Sequence, residues 1–272
     1  MIQRKLPRWM NGKKGAVKSA ISSITGPVES KENNVTNDDD GATGPKRRLR
    51  SNFTFENSEA EASAPKFNTE DLPMVSYDGK IKYLTDFHGI AEACEELLKK
   101  VEKAEGDDQV AVSFDMEWTF NFQTGPEKTS LIQVCIDLDE CFLFHLPQLK
   151  KLPASLYAFL NHPRVFLHGV NIKNDLRKLE RDFSYMKADP MIEKCKDLGV
   201  WYNEVFNSSG RWSMERLVLQ TLRLRVDKSR QVRMSKWHIF PLSENQQLYA
   251  AIDVFVSSVK FESCQQLFCH NS

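Results

Sequence analysis

No stretch of this chain approaches the ~20 consecutive apolar residues that a membrane-spanning helix needs, so no membrane partner is expected. A secretory signal is missing as well. Arg4, Lys5, Pro7, Arg8, Lys13 and Lys14 break up the early apolar residues, and no uninterrupted apolar core follows them. Nor is there a cysteine framework. Cys94, Cys135, Cys141, Cys195, Cys264 and Cys269 stand singly in 272 residues, which suits reduced thiols inside a cell. Cys264, Cys269 and His270 lack the second pair of ligands that a zinc site requires. Net charge is absent too, because 37 Lys+Arg offset 37 Asp+Glu, so bulk composition neither suggests nor excludes a polyanionic partner.

What is present is unevenly placed. Of those 37 and 37 residues, 11 basic and 5 acidic ones fall within 1–50, leaving 26 and 32 for the rest. Residues 1–70 are rich in Ser, Asn, Gly, Glu and Lys and have few periodic apolar positions, the composition of a disordered arm. Within them Pro45-Lys46-Arg47-Arg48-Leu49-Arg50 has the pattern of a nuclear localisation signal, although a solvated charge run has the same text. A nuclear protein is the expectation. Residues 71–272 are expected to form one folded domain, and 41% apolar residues suffice for a sizeable core.

Periodicity outlines that domain as α/β. Ile81–Leu84 reads as a strand, and Asp86 caps a helix with apolar residues at Phe87, Ile90, Ala91, Cys94, Leu97, Leu98 and Val101. Strands follow at Val110–Asp115, Leu131–Ile136 and Cys141–His145, then a short helix at Leu156–Leu160 and a strand at Val165–Val170. A helix is expected from about Asn174, another from Ser213 to about Leu222, and a long one after Ser243, where Gln246 completes a capping box. Three early strands followed by alternating helix and strand predict a mixed sheet flanked by helices.

Three acidic elements carry chemistry. In Phe114-Asp115-Met116-Glu117-Trp118 strand alternation sends Asp115 and Glu117 to one face. A strand emerging into solvent could carry the same two acids, so the pair informs only in company. Asp175 sits in the first turn of a helix that follows a buried strand, where the helix dipole alone would favour an acid. Tyr249 and Asp253 lie at i and i+4, on one helix face. Hard divalent cations take oxygen ligands. Four carboxylates brought together could surround two ions ~3.5–4 Å apart, the arrangement that stabilises both oxygens of an in-line phosphoryl displacement.

These elements, in this order, resemble the DEDD exonuclease superfamily, in its subclass with tyrosine, which includes ribonuclease D and polymerase proofreading domains. The flanking text is most similar to the Werner syndrome-like exonuclease domain: Ser130-Leu131-Ile132-Gln133-Val134-Cys135, Leu143-Phe144-His145, Gly169 to Leu179, Trp212 to Val218, Ser235-Lys236-Trp237 and Pro241-Leu242-Ser243. The likeness spans about residues 75–268. It implies a ribonuclease H-like fold, dependence on Mg²⁺ or Mn²⁺ (two ions) held by Asp115, Glu117, Asp175 and Asp253, and 3′–5′ degradation of DNA. A ribonuclease D-like enzyme acting on RNA and a catalytically silent nucleic-acid-binding scaffold are the alternatives. With no Gly-x-x-x-x-Gly-Lys-Ser/Thr phosphate loop in the chain, the resemblance is to a stand-alone exonuclease without a helicase. Asp182 competes for the role of Asp175, but seven residues of helix separate the two by ~10 Å. Tyr249 is expected to orient the attacking water, because a phenol with an ordinary pKa near ~10 is a poor base.

Basic residues crowd the same region. Lys173, Arg177, Lys178 and Arg181 flank Asp175, and Arg211, Arg216, Arg223, Arg225, Lys228, Arg230, Arg233 and Lys236 precede the last helix. Lys228, Arg230, Arg233 and Lys236 are the candidate phosphate contacts, with Trp237 or Trp118 as a base-stacking surface or, alternatively, core.

Overall fold

A computed structural model describes residues 71–104, 109–227 and 229–270, with side chains to residue 262. The basic arm, its Pro45–Arg50 cluster, the turn at 105–108, Lys228 and the side chains of Cys264, Cys269 and His270 lie outside the described residues.

The domain begins with β1 (Lys80–Leu84) and α1 (Phe87–Lys103). The Asp86 carboxylate accepts the Gly89 N–H and caps α1, which buries Ile90, Ala93, Cys94, Leu97 and Val101 along one stripe. Strands β2 (Val110–Glu117), β5 (Leu131–Asp137) and β6 (Glu140–His145) enclose a small hairpin of β3 (Phe120–Asn121) and β4 (Gly125–Pro126). Helix α2 (Ala154–Asn161), strand β7 (Val165–Gly169) and helix α3 (Ile172–Asp182) follow. Next come α4 (Asp189–Lys194), β8 (Lys196–Asp197), α5 (Leu198–Phe206), α6 (Met214–Leu222), α7 (Arg230–Arg233) and the 27-residue α8 (Glu244–His270).

Six strands form one sheet in the order β1-β6-β5-β2-β7-β8. β5 runs antiparallel to both neighbours and the other pairings are parallel, giving the expected mixed sheet. The alternation of β2 and β5 splits the core in two. Val112, Phe114, Met116, Ile132 and Val134 pack with α1, α2 and α3. The opposite face meets α8, through Leu131 and Leu143 against Tyr249 and Ala250, and through Cys135 and Cys141 against Ala251 and Val254. Asp115 and Glu117 belong to this second face, under the helix that carries Asp253.

The start of α8 is held from below. The Ser243 and Gln246 side chains cap reciprocally, as their spacing predicts. His145 lies just beneath. A carbonyl only accepts, so His145 donates Nε2–H to Trp237 O at 2.9 Å. Burial lowers the imidazole pKa and keeps it neutral, so its Nδ1 accepts the Tyr83 hydroxyl, whose oxygen in turn accepts Leu242 N–H. Trp237 is fully buried, packed against Leu131, Leu143, Leu242 and Tyr249, with its Nε1–H given to Arg233 O. This corrects the reading of Trp237 as a nucleic-acid contact: its ring face has no exposure on which a base could stack.

Candidate active site

Strand, loop and helix ends converge on one cleft of about 340 Å³. Asp115, Glu117 and Trp118 come from the end of β2, Asn171 and Asp175 from the start of α3, Arg233 and Met234 from α7 and the residue after it, and Tyr249, Asp253 and Ser257 from α8. One oxygen each of Asp115, Glu117 and Asp253 lies within 4.8 Å of the others. Asp175 lines the same cleft beside this trio, and the charge of Asp115 opposes its ionisation.

The backbone explains this convergence. A Cβ on Gly169 would stand 2.6 Å from Phe114 O, so only glycine lets β7 close onto β2 at the point where Asp115 begins. The chain then turns through Asn171 in the left-handed region, φ 61°, and enters α3. Asp175 occupies the first turn of α3 and is only 6% exposed. Burial, then the charges of Asp115 and Asp197, push its pKa up to about 9, and Lys178 counters them only in part. Four acids gathered in such a place are costly unless positive charge joins them. An all-oxygen donor set of this kind suits a hard divalent cation.

Tyr249 is buried at the cleft wall, its ring 6.0 Å from that of Trp237. Burial raises its pKa well above the ordinary phenol value, and Asp253, Glu117 and Asp115 raise it further. The hydroxyl is therefore a proton donor at neutral pH. Asp182 is occupied elsewhere: its Oδ2 accepts Thr129 N–H at 2.7 Å, the Thr129 hydroxyl at 2.6 Å and Lys178 Nζ at 2.9 Å. Burial alone would raise its pKa, but these bonds outweigh it and hold the carboxyl below its usual value.

The basic residues separate into two groups. Arg233 lines the cleft, and Arg230 and Lys236 are exposed beside it. Several others have structural partners. Lys178 is buried against Glu127 O and Asp182, Arg177 pairs with Asp189 and Glu180, and Arg225 binds Leu72 O. None of these three is among the candidate phosphate contacts Lys228, Arg230, Arg233 and Lys236. Trp118 is half-buried, lines the cleft and carries Lys178 Nζ 5.0 Å from its ring centroid.

Among the cleft residues to which the sequence assigned no role are Phe120, Asn171, Met234 and Ser257. Phe120 and Met234 are exposed apolar residues at the cleft, and Asn171 forms its turn. Ser257 stands one turn after Asp253 and hydrogen-bonds His168 at 3.2 Å, a fully buried imidazole whose pKa burial pushes down to about 3. The i+4 spacing from Asp253 was the available signal for Ser257. His238, in the segment after α7, bonds Thr119 and Glu127 at the base of the β3–β4 hairpin.

This geometry has relatives. A 3′–5′ exonuclease family model matches residues 83–258. The chain belongs to that 3′–5′ exonuclease family, of the DEDD superfamily. A Drosophila willistoni protein named 3′–5′ exonuclease is 53% identical over 204 residues, covering 75% of this chain and 57% of the relative. One from Drosophila yakuba with the same name is 45% identical over 263 residues, covering 96% and 73%. The chain thus spans less than two thirds of the willistoni protein it matches. Among solved structures, the Nibbler EXO domain of Aedes aegypti superposes with a TM-score of 0.60 at 17% identity, over 73% of this chain and 94% of that one. Escherichia coli RNase D gives 0.52 at 19%, over 68% and 45%. At such identities these two establish the ribonuclease H-like exonuclease fold. The family depends on divalent metal, and the clustered acids of this chain fit that requirement.

Proposed function

We propose that this chain is a Werner syndrome-like 3′–5′ exonuclease that removes nucleotides from DNA 3′ ends with two Mg²⁺ or Mn²⁺ ions. The observation that carries the proposal is the meeting of Asp115, Glu117 and Asp253 within 4.8 Å, with Asp175 and Tyr249 lining the same cleft. In this reading the four carboxylates hold the metals. Bound there, the ions supply a water of lowered pKa and a stabilising charge for the leaving oxygen. The protein does the rest. Tyr249 donates its hydroxyl hydrogen to orient the attacking water or the scissile phosphate, while buried Trp237 keeps its ring in place. Arg233 faces the backbone phosphates from the cleft, and Arg230 and Lys236 extend that path. No side-chain base is required. His168, fully buried and hydrogen-bonded to the cleft residue Ser257, stays neutral at physiological pH.

The motif text around the carboxylates favours DNA. RNA is the second reading, favoured by the likeness in fold to Trypanosoma brucei RNase D in complex with RNA U12, TM-score 0.56 at 17% identity. End-labelled single-stranded DNA, recessed duplex DNA and RNA, each with Mg²⁺, Mn²⁺ or EDTA, separate the two. A 3′–5′ ladder on DNA that EDTA abolishes is expected. Degradation of RNA alone would move the enzyme to the ribonuclease D reading. Residues 1–70 are proposed as a basic arm with a nuclear localisation signal, which would place the exonuclease with nuclear DNA and in its repair or replication.

A further inference from the structure

Gln133 is fully buried on β5, and neither its Oε1 nor its Nε2 has a hydrogen-bond partner among the described residues. Leaving a buried polar group unpaired is unfavourable, because its hydrogen bonds to water are lost and not replaced. A native protein that keeps such a group calls for an explanation, and a role at a functional site is one. Its place in the sheet indicates its use. Gln133 lies directly opposite Asp115 of β2 on one side and Leu143 of β6 on the other. Opposed residues of antiparallel strands share a face, with Cβ atoms ~4.5–5.5 Å apart. Leu131 and Leu143 on that face pack against Tyr249 and Ala250 of α8. The Gln133 carboxamide therefore occupies the layer between the sheet and the helix bearing Asp253. It lies beneath the cleft, whose lining it does not join.

We infer that Gln133 is a positioning residue for the metal-binding carboxylates, its Nε2–H serving as the outer hydrogen-bond donor to Asp115. The inference rests on reading Asp115, Glu117 and Asp253 as metal ligands. An ionised carboxylate only accepts, so the amide nitrogen is the end that faces it. Asp115 Oδ1 already accepts the Met116 N–H at 2.9 Å, and a second donor fixes the plane of the carboxylate. The terminal torsion of glutamine is soft enough to turn the amide toward its strand neighbour. Outer partners of metal ligands typically contribute roughly 10- to 100-fold in metal affinity or activity.

The test is Mn²⁺ titration calorimetry on the full chain, with thermal melting and steady-state kinetics, for wild type, Gln133→Met, Gln133→Leu and Asp253→Ala. Met and Leu fill the space without an unpaired amide, so the metal-free melting temperature is expected to hold or rise. Mn²⁺ affinity should fall roughly 10- to 100-fold. Turnover should fall at limiting metal and recover with excess metal, at unchanged KM for nucleic acid. Wild-type Mn²⁺ affinity in a well-folded Gln133→Met protein overturns the role. So does a loss of affinity matched by a lowered melting temperature in both variants, which assigns Gln133 to packing. Asp253→Ala separates the two failures. If it too binds Mn²⁺ like wild type, the carboxylate reading falls; if it alone loses Mn²⁺, only the role of Gln133 falls.

Discussion

At Tyr249 a single oxygen separates catalysis from packing. The ring is buried beside Trp237, and the phenol is kept protonated by burial and by the acids around it. Tyr249→Phe keeps the ring and its contacts. Its kcat is expected to fall roughly 10²-fold, in the range seen when one preorganised hydrogen-bond donor is lost. Mn²⁺ affinity, nucleic-acid affinity and melting temperature should stay near wild type. A normal kcat with a lowered melting temperature would make Tyr249 a core residue only. Asp175 gives a prediction in pH. Its folded-state pKa is pushed up to about 9, whereas an unfolded chain has an Asp near ~3.9. Between those values the native state holds a proton that the unfolded state has released, so metal-free stability falls as pH rises through the window. One group contributes at most ~1.4 kcal/mol per pH unit. Melting of the EDTA-treated protein from pH 5 to 9 should therefore trend downward, and Asp175→Asn should flatten the trend and raise the melting temperature at pH 8. A trend as steep in Asp175→Asn as in wild type would mean that other groups set it.

At the scale of elements, legibility followed how local the determining interactions are. The Asp86 cap, the Ser243–Gln246 capping box and the short apolar runs of β2, β5 and β6 depend on neighbours in sequence, and they stand where the sequence predicts. Asp115, Glu117, Asp175 and Asp253 share the cleft that their motifs imply: the first three sit at an end of β2 or α3, and Asp253 lies one turn after Tyr249 within α8. The hairpin at Phe120–Pro126 escaped because its strands have two residues each, too few to show alternation. The run α4–β8–α5 was also unseen, although Pro190 at the start of α4 is a recognised helix-start signal. Helix α8 continues to His270. Trp237 misled for another reason: its sequence neighbours are basic and polar, while its burial is decided by Leu131, Leu143 and the His145 bond on distant strands. The corrected view yields opposite outcomes for adjacent positions. Trp237→Ala should cost about 3–5 kcal/mol of stability. Arg230, Arg233 and Lys236 changed together to Ala should leave melting unchanged and flatten the salt dependence of DNA binding, by roughly 0.7–0.9 of slope per lost phosphate contact. An unchanged slope would place α7 off the nucleic-acid path.

For the whole molecule, the six-stranded sheet holds the acids at its β2 end while α8 closes over them, so site and core share one scaffold. Residues 71–262 build the two core faces and the acidic cleft. A fragment starting at residue 71 should accordingly fold and degrade DNA like the full chain, and lose nuclear accumulation if Pro45–Arg50 acts as a signal. An insoluble fragment, or one that stays fully nuclear, would refute the assignment of the arm. The central claim is that clustered carboxylates make this chain a metal-dependent 3′–5′ exonuclease. The most direct measurement follows a 5′-labelled single-stranded DNA with wild type, Asp115→Asn and Asp253→Ala across a titration of Mn²⁺. Wild type should shorten the strand stepwise from its 3′ end only once metal is added. Both variants should be inactive at every metal concentration while melting at or above the wild-type temperature, because each relieves repulsion among the acids. Near-wild-type shortening by either variant, or by wild type in EDTA, would contradict the account.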